Sequence, residues 1–451
     1  MLMQRHAGWA ETEVFGHSLH RKISRTKPFL CRIRSYPALD SRAQLKAAKR
    51  LSFSAMTVIL DISRLISRLR YSTPSGVDRV EMAYARGLLA HYHEELVFAA
   101  VHPTGRYGRL QRRAALAYLD ELESRWTSEA DAPRQRSLAS VLPQLAALMP
   151  TSKGVGSNRT GKAVYVQVSP HHLTNASKVH RILERERAKF LCLVHDLIPI
   201  EFPEYARPSG AALHRKRMET VATACAASHG AAIVNSAATG RALAPWLAAG
   251  TEIHVALLGT ETLPPAAPEH SDRPYFLCIG TIEPRKNHLL LLHLWRHFAE
   301  TLPAEKIPRL VVVGRRGWEN EQIVDMLERC PGLVDHVEEL GGCPDARLSA
   351  LLQGARALVM PSFAEGYGMP VAEALSVGTP VICSDLPALR EVGGTVPDYL
   401  DPLDGPGWKA AILDHAERGD LHMAQLARLP AWHNPTWSEH MAIVTQAIAG
   451  M

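Results

Sequence analysis

From Met56 onward, short and almost wholly apolar runs alternate with longer stretches of helical periodicity. Val58–Leu60, Leu96–Val101, Ala163–Val168, Phe190–Val194 and Ala231–Val234 read as buried strands. A second series follows at Tyr275–Ile279, Leu310–Val313, Val337–Leu340, Ala357–Met360 and Pro380–Cys383. Strands with apolar residues on both faces, separated by helices, predict βαβ units and parallel sheets, hence an α/β fold with two Rossmann-like domains. Between the series lies the Pro-rich polar stretch 262–272, which reads as an interdomain linker. The boundary is placed near 265, with one domain over 56–264 and a second over 265–451, whose last helix is a candidate to cross back. Residues 104–162 interrupt the first series. There Arg106, Arg109, Arg112 and Arg113 precede Leu116, Leu119 and Leu122 at helical spacing, which reads as a solvated basic surface helix ahead of a membrane or acceptor contact. No internal repeat is visible.

Composition narrows the class. With 46% hydrophobic and 21% charged residues over 451 positions, the chain is globular, and it has no apolar run of about 18 residues that would span a membrane. Seven scattered cysteines without a Cys-x-x-Cys pair read as reduced thiols, neither zinc ligands nor a disulfide framework. The formal charge of +6 is unevenly placed: residues 1–55 hold eleven Lys/Arg against three acids, so the remainder carries −2. A near-neutral body gives no electrostatic case for nucleic acid. The basic extension lacks a signal-type apolar core. It reads either as non-native or disordered sequence ahead of a start at Met56, or as an arm for peripheral attachment to the inner membrane face of a cytoplasmic protein.

The densest chemical signal is the run 361–375, Pro-Ser-Phe-Ala-Glu-Gly-Tyr-Gly-Met-Pro-Val-Ala-Glu-Ala-Leu, after the strand Ala357–Met360. Gly366 and Gly368 allow close backbone approach, Pro370 suits the first helical turn, and a helix start offers N–H groups to an anion. Glu365 on the loop and Glu373 about a turn into the helix suit acceptance from hydroxyls. Amide donors beside carboxylates suggest a sugar phosphate more than a bare phosphate. A second cluster follows Tyr275–Ile279: Gly280-Thr281-Ile282-Glu283-Pro284-Arg285-Lys286-Asn287, with two cations at the carboxyl end of a buried strand, where α/β folds bind ligands. In the first half, His195-Asp196 ends an apolar strand, and Ser75-Gly76-Val77-Asp78-Arg79 precedes a helix.

In this order, these motifs resemble the family 4 retaining glycosyltransferases of GT-B fold, over roughly residues 57–440, and most of all bacterial mannosyltransferases of polysaccharide assembly. The resemblance implies two Rossmann-like domains facing across a cleft, with the acceptor on the first and a nucleotide-diphosphate sugar on the second. It places Glu365 on hydroxyls of the donor sugar and Glu373 on the ribose, with Arg285 and Lys286 neutralising the diphosphate. His195 sits near the anomeric centre. Gly280, Gly366, Tyr367, Gly368 and Met369 frame the donor, Gly341–Asp345 (with Cys343) and Leu348 border the nucleobase, and Gly76 and Asp196 lie on the acceptor side. Thr281 stands where the family often has arginine, and Gly76 stands alone where a Gly-Gly pair is common.

The implied reaction is front-face hexosyl transfer with retention, without a covalent enzyme intermediate. GDP-mannose is the favoured donor, and a glycan or lipid-linked saccharide is the acceptor. No Asp-x-Asp motif stands by the cleft strands, so neither a cofactor nor an obligatory metal is expected. A nucleotide-sugar epimerase of the same fold would need further acid/base carboxylates in the first domain. A non-catalytic sugar-nucleotide-binding assembly partner would be marked by loss of a glutamate or of the basic pair, and both are present.

Overall fold

A computed structural model describes residues 33–34, 56–71, 73–128, 137–151 and 162–451. Two sheets organise them. The first is built from β1 (Ile33–Arg34), β2 (Thr57–Asp61), β3 (Leu96–Val101), β4 (Tyr107–Arg109), β5 (Ala163–Gln167), β6 (Lys189–Val194), β7 (Ala231–Val234) and β8 (Glu252–Val255). Its order is β1-β8-β7-β6-β5-β2-β3-β4, parallel throughout except for the antiparallel pair β3/β4. The second comprises β9 (Tyr275–Ile279), β10 (Arg309–Val313), β11 (Val337–Leu340), β12 (Ala357–Met360), β13 (Val381–Ser384) and β14 (Asp398–Leu400), ordered β11-β10-β9-β12-β13-β14 and all parallel. The architecture is the α/β, two-sheet GT-B arrangement.

The central strands are apolar on both faces because helices cover both. Along β2, Val58 and Leu60 enter one core while Ile59 enters another, all fully buried, as the two-residue strand period requires. The core that takes Val58 and Leu60 also contains Leu277, Leu358 and Val371, so one body of apolar side chains runs through both sheets' facing layers. The strand order reverses at β2/β5 in the first sheet and at β9/β12 in the second. Such switch points open a crevice at the carboxyl ends of the strands. The functional loops leave the sheets there.

Three expectations are corrected. The helix Arg112–Ser128 is not a solvated surface helix. It buries Ala115, Tyr118, Leu119, Leu122 and Trp126, and Tyr118 Oη donates to the Leu65 carbonyl at 2.6 Å. Two of the four arginines at or before its start are structural, with Arg109 paired to the buried Glu186 at 2.7 Å and Arg112 Nη1 donating to the Leu96 carbonyl at 2.8 Å, while Arg106 and Arg113 are exposed. The extension is also not wholly ahead of the fold, since Ile33 and Arg34 pair in parallel with Ile253 and His254 on the sheet edge. Its other residues lie outside the described ones. No described helix is long and apolar enough to cross a membrane.

The final helix, Trp437–Ala449, begins with a capping box in which Thr436 Oγ1 accepts from Glu439 N and the Glu439 carboxylate accepts from Thr436 N. It packs on the helix Gly76–Tyr92 of the first sheet's layer. The buried His440 Nδ1 donates to the Leu257 carbonyl at 3.0 Å, leaving Nε2 to accept from Tyr84 Oη at 2.8 Å.

Candidate active site

The loop after β12 is shaped by two glycines. Gly368 has φ 104°, a left-handed value that suits glycine, and there it turns the chain into the helix Met369–Ser376. At Gly366 a Cβ would lie 2.6 Å from the His195 carbonyl and 2.8 Å from the Asp196 Cβ. Only a residue without a side chain lets this loop lie against the His195-Asp196 turn of the opposite sheet. Ser236 Oγ, also from the first sheet's side, donates to the Gly366 carbonyl at 2.9 Å.

On that loop Glu365 meets the cations that follow β9. Its carboxylate lies 2.7 Å from Lys286 Nζ and 2.9 Å from Arg285 Nη1. Burial alone would raise the Glu365 carboxyl, but these two charges outweigh it and take it down to about 2. Arg285 is committed on every guanidinium nitrogen: Nε and Nη2 donate to Glu283 Oε1 at 3.0 and 2.7 Å, and Nη1 donates to the Ala364 carbonyl at 2.6 Å. The Phe363 N–H returns a bond to the Arg285 carbonyl at 2.9 Å. Arg285 therefore clamps the two loops together, while Lys286 rests on Glu365 alone.

Glu373, eight residues on, sits in a different field. Its carboxyl is pushed up to about 7, first by burial and then by Asp345 and Glu261, against the opposing charge of Arg79. Arg79 leaves the helix Gly76–Tyr92 and grips Asp345 with both terminal nitrogens, at 2.7 and 3.1 Å. That helix is fixed at its start by Ser75 and the fully buried Asp78, which cap it reciprocally. Asp78 is held in turn by Arg64 at 2.6 Å and Arg68 at 3.1 Å. Gly76 touches this side of the seam too: a Cβ there would lie 3.2 Å from Met369 Sδ.

On the first sheet, His195 Nε2 lies 2.8 Å from the Val168 carbonyl, so that nitrogen carries the proton and Nδ1 remains an acceptor. Burial lowers the His195 pKa despite that bond and Asp196, so the ring is neutral. Asp196 Oδ1 accepts from Ile198 N at 3.1 Å. Downstream, Tyr205 stacks on Phe363 with ring centroids 5.7 Å apart and planes within 6°. Trp318 Nε1 donates to the Tyr205 carbonyl at 3.1 Å, and the Arg207 guanidinium lies over the Trp318 ring.

The expected residues thus fall into two groups: Glu365, Arg285, Lys286, Gly366, His195 and Asp196 at one end of the seam, and Glu373, Met369 and Gly76 at the other. Tyr367 lies between them, its hydroxyl on the Leu258 carbonyl, and Gly280 closes β9 beside Lys286. Cys343 stands apart, half-buried ahead of Asp345, with burial raising its thiol to about 11. Arg79, Glu261 and the Tyr205–Phe363–Trp318 contacts were not foreseen. The one available signal was the position of Arg79, a turn past Gly76.

Residues 260–394 match the sequence profile of the family described as glycosyl transferases group 1. The O-antigen chain mannosyltransferase B of Escherichia coli is 42% identical over 142 residues, 31% of this chain and 36% of that protein. O-antigen chain mannosyltransferase RfbU of Salmonella typhimurium is 34% identical over 143 residues, 31% of this chain and 37% of its own length. The chain thus aligns with little more than a third of either relative. Among solved structures, sucrose-phosphate synthase of Thermosynechococcus elongatus superposes with a TM-score of 0.58 at 17% identity, covering 87% of this chain and 98% of that one. Anabaena Alr3699/HepE in complex with UDP gives 0.56 at 15%, covering 88% and 100%. These likenesses carry the GT-B fold over 87–88% of this chain. The matched segment 260–394 contains Arg285, Lys286, Glu365 and Glu373.

Proposed function

We propose that the chain is a retaining hexosyltransferase that moves mannose from GDP-mannose to a glycan or lipid-linked acceptor in cell-surface polysaccharide synthesis, without an obligatory metal. The observation that carries this reading is the half-buried Lys286–Glu365–Arg285 group, pressed through Gly366 against His195 and Asp196 of the other sheet. A permanently ionised carboxylate accepts from sugar hydroxyls, and a lysine beside it meets the charge that develops on a departing diphosphate. His195 Nδ1, an unprotonated acceptor, takes a hydroxyl near the anomeric carbon. In the transfer, the bond from anomeric carbon to diphosphate oxygen breaks on the face where the acceptor oxygen bonds, and the acceptor proton passes to the diphosphate. Arg285, saturated by Glu283, Ala364 and Glu365, acts by holding the loops, and Lys286 carries more of the phosphate charge. The relatives' names as O-antigen mannosyltransferases support mannose, and Glu373 beside Asp345 supports a ribose subsite.

The test is a thermal-shift panel of GDP-, UDP-, ADP- and dTDP-sugars, followed by calorimetry on Glu365→Gln and Glu373→Gln. A donor at a hundred times its Kd stabilises the fold by about 2.7 kcal/mol, and GDP-mannose should give the largest shift. Glu373→Gln should weaken GDP and GDP-mannose alike, by about ten- to a hundredfold, whereas Glu365→Gln should weaken only GDP-mannose. Equal losses on both ligands for Glu365→Gln would remove its sugar role. No shift with any donor would remove the transferase reading.

A further inference from the structure

We propose that the carboxyl edge of the first sheet holds an anion subsite, built on Arg217 and Arg64 with His171 and His172 beside them, that takes a phosphate group of the acceptor. This rests on the transferase reading and names a chemical class for its second substrate.

Four segments meet at this edge. Arg64 follows β2, His171 and His172 follow β5, His195 and Asp196 follow β6, and Arg217 lies two turns into the helix Gly210–Ser228. β2 and β5 flank the switch point, with β6 next in the sheet, so their following loops share one crevice. The helix is tied to it by His214 Nε2, 3.0 Å from the Asp196 carbonyl. Arg64 is held rigidly, Nε on Asp78 at 2.6 Å and Nη2 on Ser75 Oγ at 3.0 Å.

Arg217 has no such anchor. Its Nε is buried without a hydrogen-bond partner, as is His172 Nε2, and among the described residues no carboxylate lies within ion-pair distance of Arg217. Burial and then the charge of Arg64 depress the Arg217 guanidinium, with Asp196 opposing. The acids facing the site are already engaged or neutral. Asp61 accepts from Ser63 N at 2.7 Å and from the Tyr165 hydroxyl, and Asp196 Oδ1 accepts from Ile198 N. Glu81 is raised to about 8, by burial first and Asp61 second, so it is protonated at neutral pH. Burial lowers both His171 and His172, the latter to about 4, so each is neutral. Lys178 adds a third cation felt by both rings.

Two guanidiniums of like charge beside one crevice, with buried N–H groups lacking acceptors, cost free energy in the empty protein. A tetrahedral oxyanion relieves both penalties, because Arg217 can offer a fork, Arg64 its Nη1 that neither Asp78 nor Ser75 takes, and each neutral imidazole one N–H. An acceptor whose phosphate sits there would be carried by the first sheet while its hydroxyl approaches the donor.

Inorganic phosphate is titrated calorimetrically into the full chain, into Arg217→Gln and into Arg285→Ala/Lys286→Ala. The subsite predicts a phosphate-binding event at least tenfold weaker in Arg217→Gln and kept in the double variant. Unchanged phosphate binding in Arg217→Gln, or its complete loss in the double variant, would overturn the proposal. Arg217→Lys keeps one charge, should retain binding within about threefold, and serves if the glutamine variant does not fold. A soluble hexose phosphate and a short-chain lipid diphosphate-linked saccharide are then compared as displacers, and the stronger names the source of the group. If neither displaces phosphate better than a neutral alkyl mannoside, the site is not an acceptor subsite. GDP binding, followed in parallel, should be the same in Arg217→Gln and wild type. Its absence from both would count against the donor reading alone.

Discussion

Glu365 and Glu373 share one short motif but carry opposite electrostatics. Glu365 is drawn down to about 2 by Arg285 and Lys286 against its burial, and Glu373 is driven up to about 7 by burial, Asp345 and Glu261. The two therefore contribute to stability with opposite sign. Glu365, depressed in the fold, stabilises above its unfolded value near 4.5, and that contribution is lost as pH falls toward 2. Glu373, raised in the fold, contributes fully below about 4.5 and loses that contribution as pH rises through about 7, an effect of roughly 3 kcal/mol. Relative to Glu373→Gln, wild type should lose denaturation midpoint between pH 5 and 7.5, because the depressed histidines such as His172 and His440 stabilise with rising pH equally in both proteins and cancel in the difference. Parallel curves would show that Glu373 does not titrate there. The same ionisation predicts that GDP affinity rises with pH through about 7 in wild type and not in Glu373→Gln, readable by calorimetry at three pH values. The spacing of the glutamates was legible in the sequence, whereas the ion pairing of Glu365 with Arg285 and Lys286 was not, because it joins loops 79 residues apart. The divergence of their pKa values was not, since Arg79, Glu261 and Asp345 come from three separate segments.

The elements were read well where burial on both faces makes a strand continuous in apolar residues, as in β2, β6, β9 and β12. Reading failed at the sheet margins. Tyr107–Arg109 and Asp398–Leu400 are edge strands of only three residues each, whose polar side chains bond buried partners, and Glu252–Val255 alternates its two apolar residues with a glutamate and a histidine. In the helix Arg112–Ser128 the leucines at helical spacing were legible, but the inward packing of Tyr118 and Trp126 beside Leu119 and Leu122 was not. The sequence of the segment Phe202–Arg207 carries no sign that it touches the second sheet's loops. In the fold it reaches loops after β10 and β12 through Trp318 and Phe363. An aromatic pair of this kind contributes about 0.5–1.5 kcal/mol beyond its buried area. Phe363→Ala should accordingly lower kcat/KM for the donor by about three- to tenfold, with far-UV circular dichroism unchanged. Steady-state kinetics indistinguishable from wild type would show that the stack plays no part in closing the seam.

Across the whole molecule, the longest tie is between Tyr84 and His440, 356 positions apart. Burial takes the His440 imidazole down to about 4, so it is neutral and its Nε2 needs the tyrosine proton. Tyr84→Phe would leave that nitrogen buried without a donor, at a cost of about 1–3 kcal/mol. Urea denaturation should register it as an earlier midpoint at unchanged slope, and no change would mean that water or a rearranged ring replaces the bond. Met441, Val444 and Ile448 bury the rest of the helix against the same layer.

That crossing gives the architecture a nested character. The first lobe is completed by Trp437–Ala449, so in space the chain between about 265 and 436 is a passenger spliced into it. Cutting the gene at the linker would strip the first lobe of a buried face and leave the second trailing an orphaned amphipathic tail. A cassette that exchanges only 265–436 leaves the Tyr84–His440 tie and its apolar face in place, so chimaeras with new donor preferences should be built by replacing the insert and keeping both ends of the host.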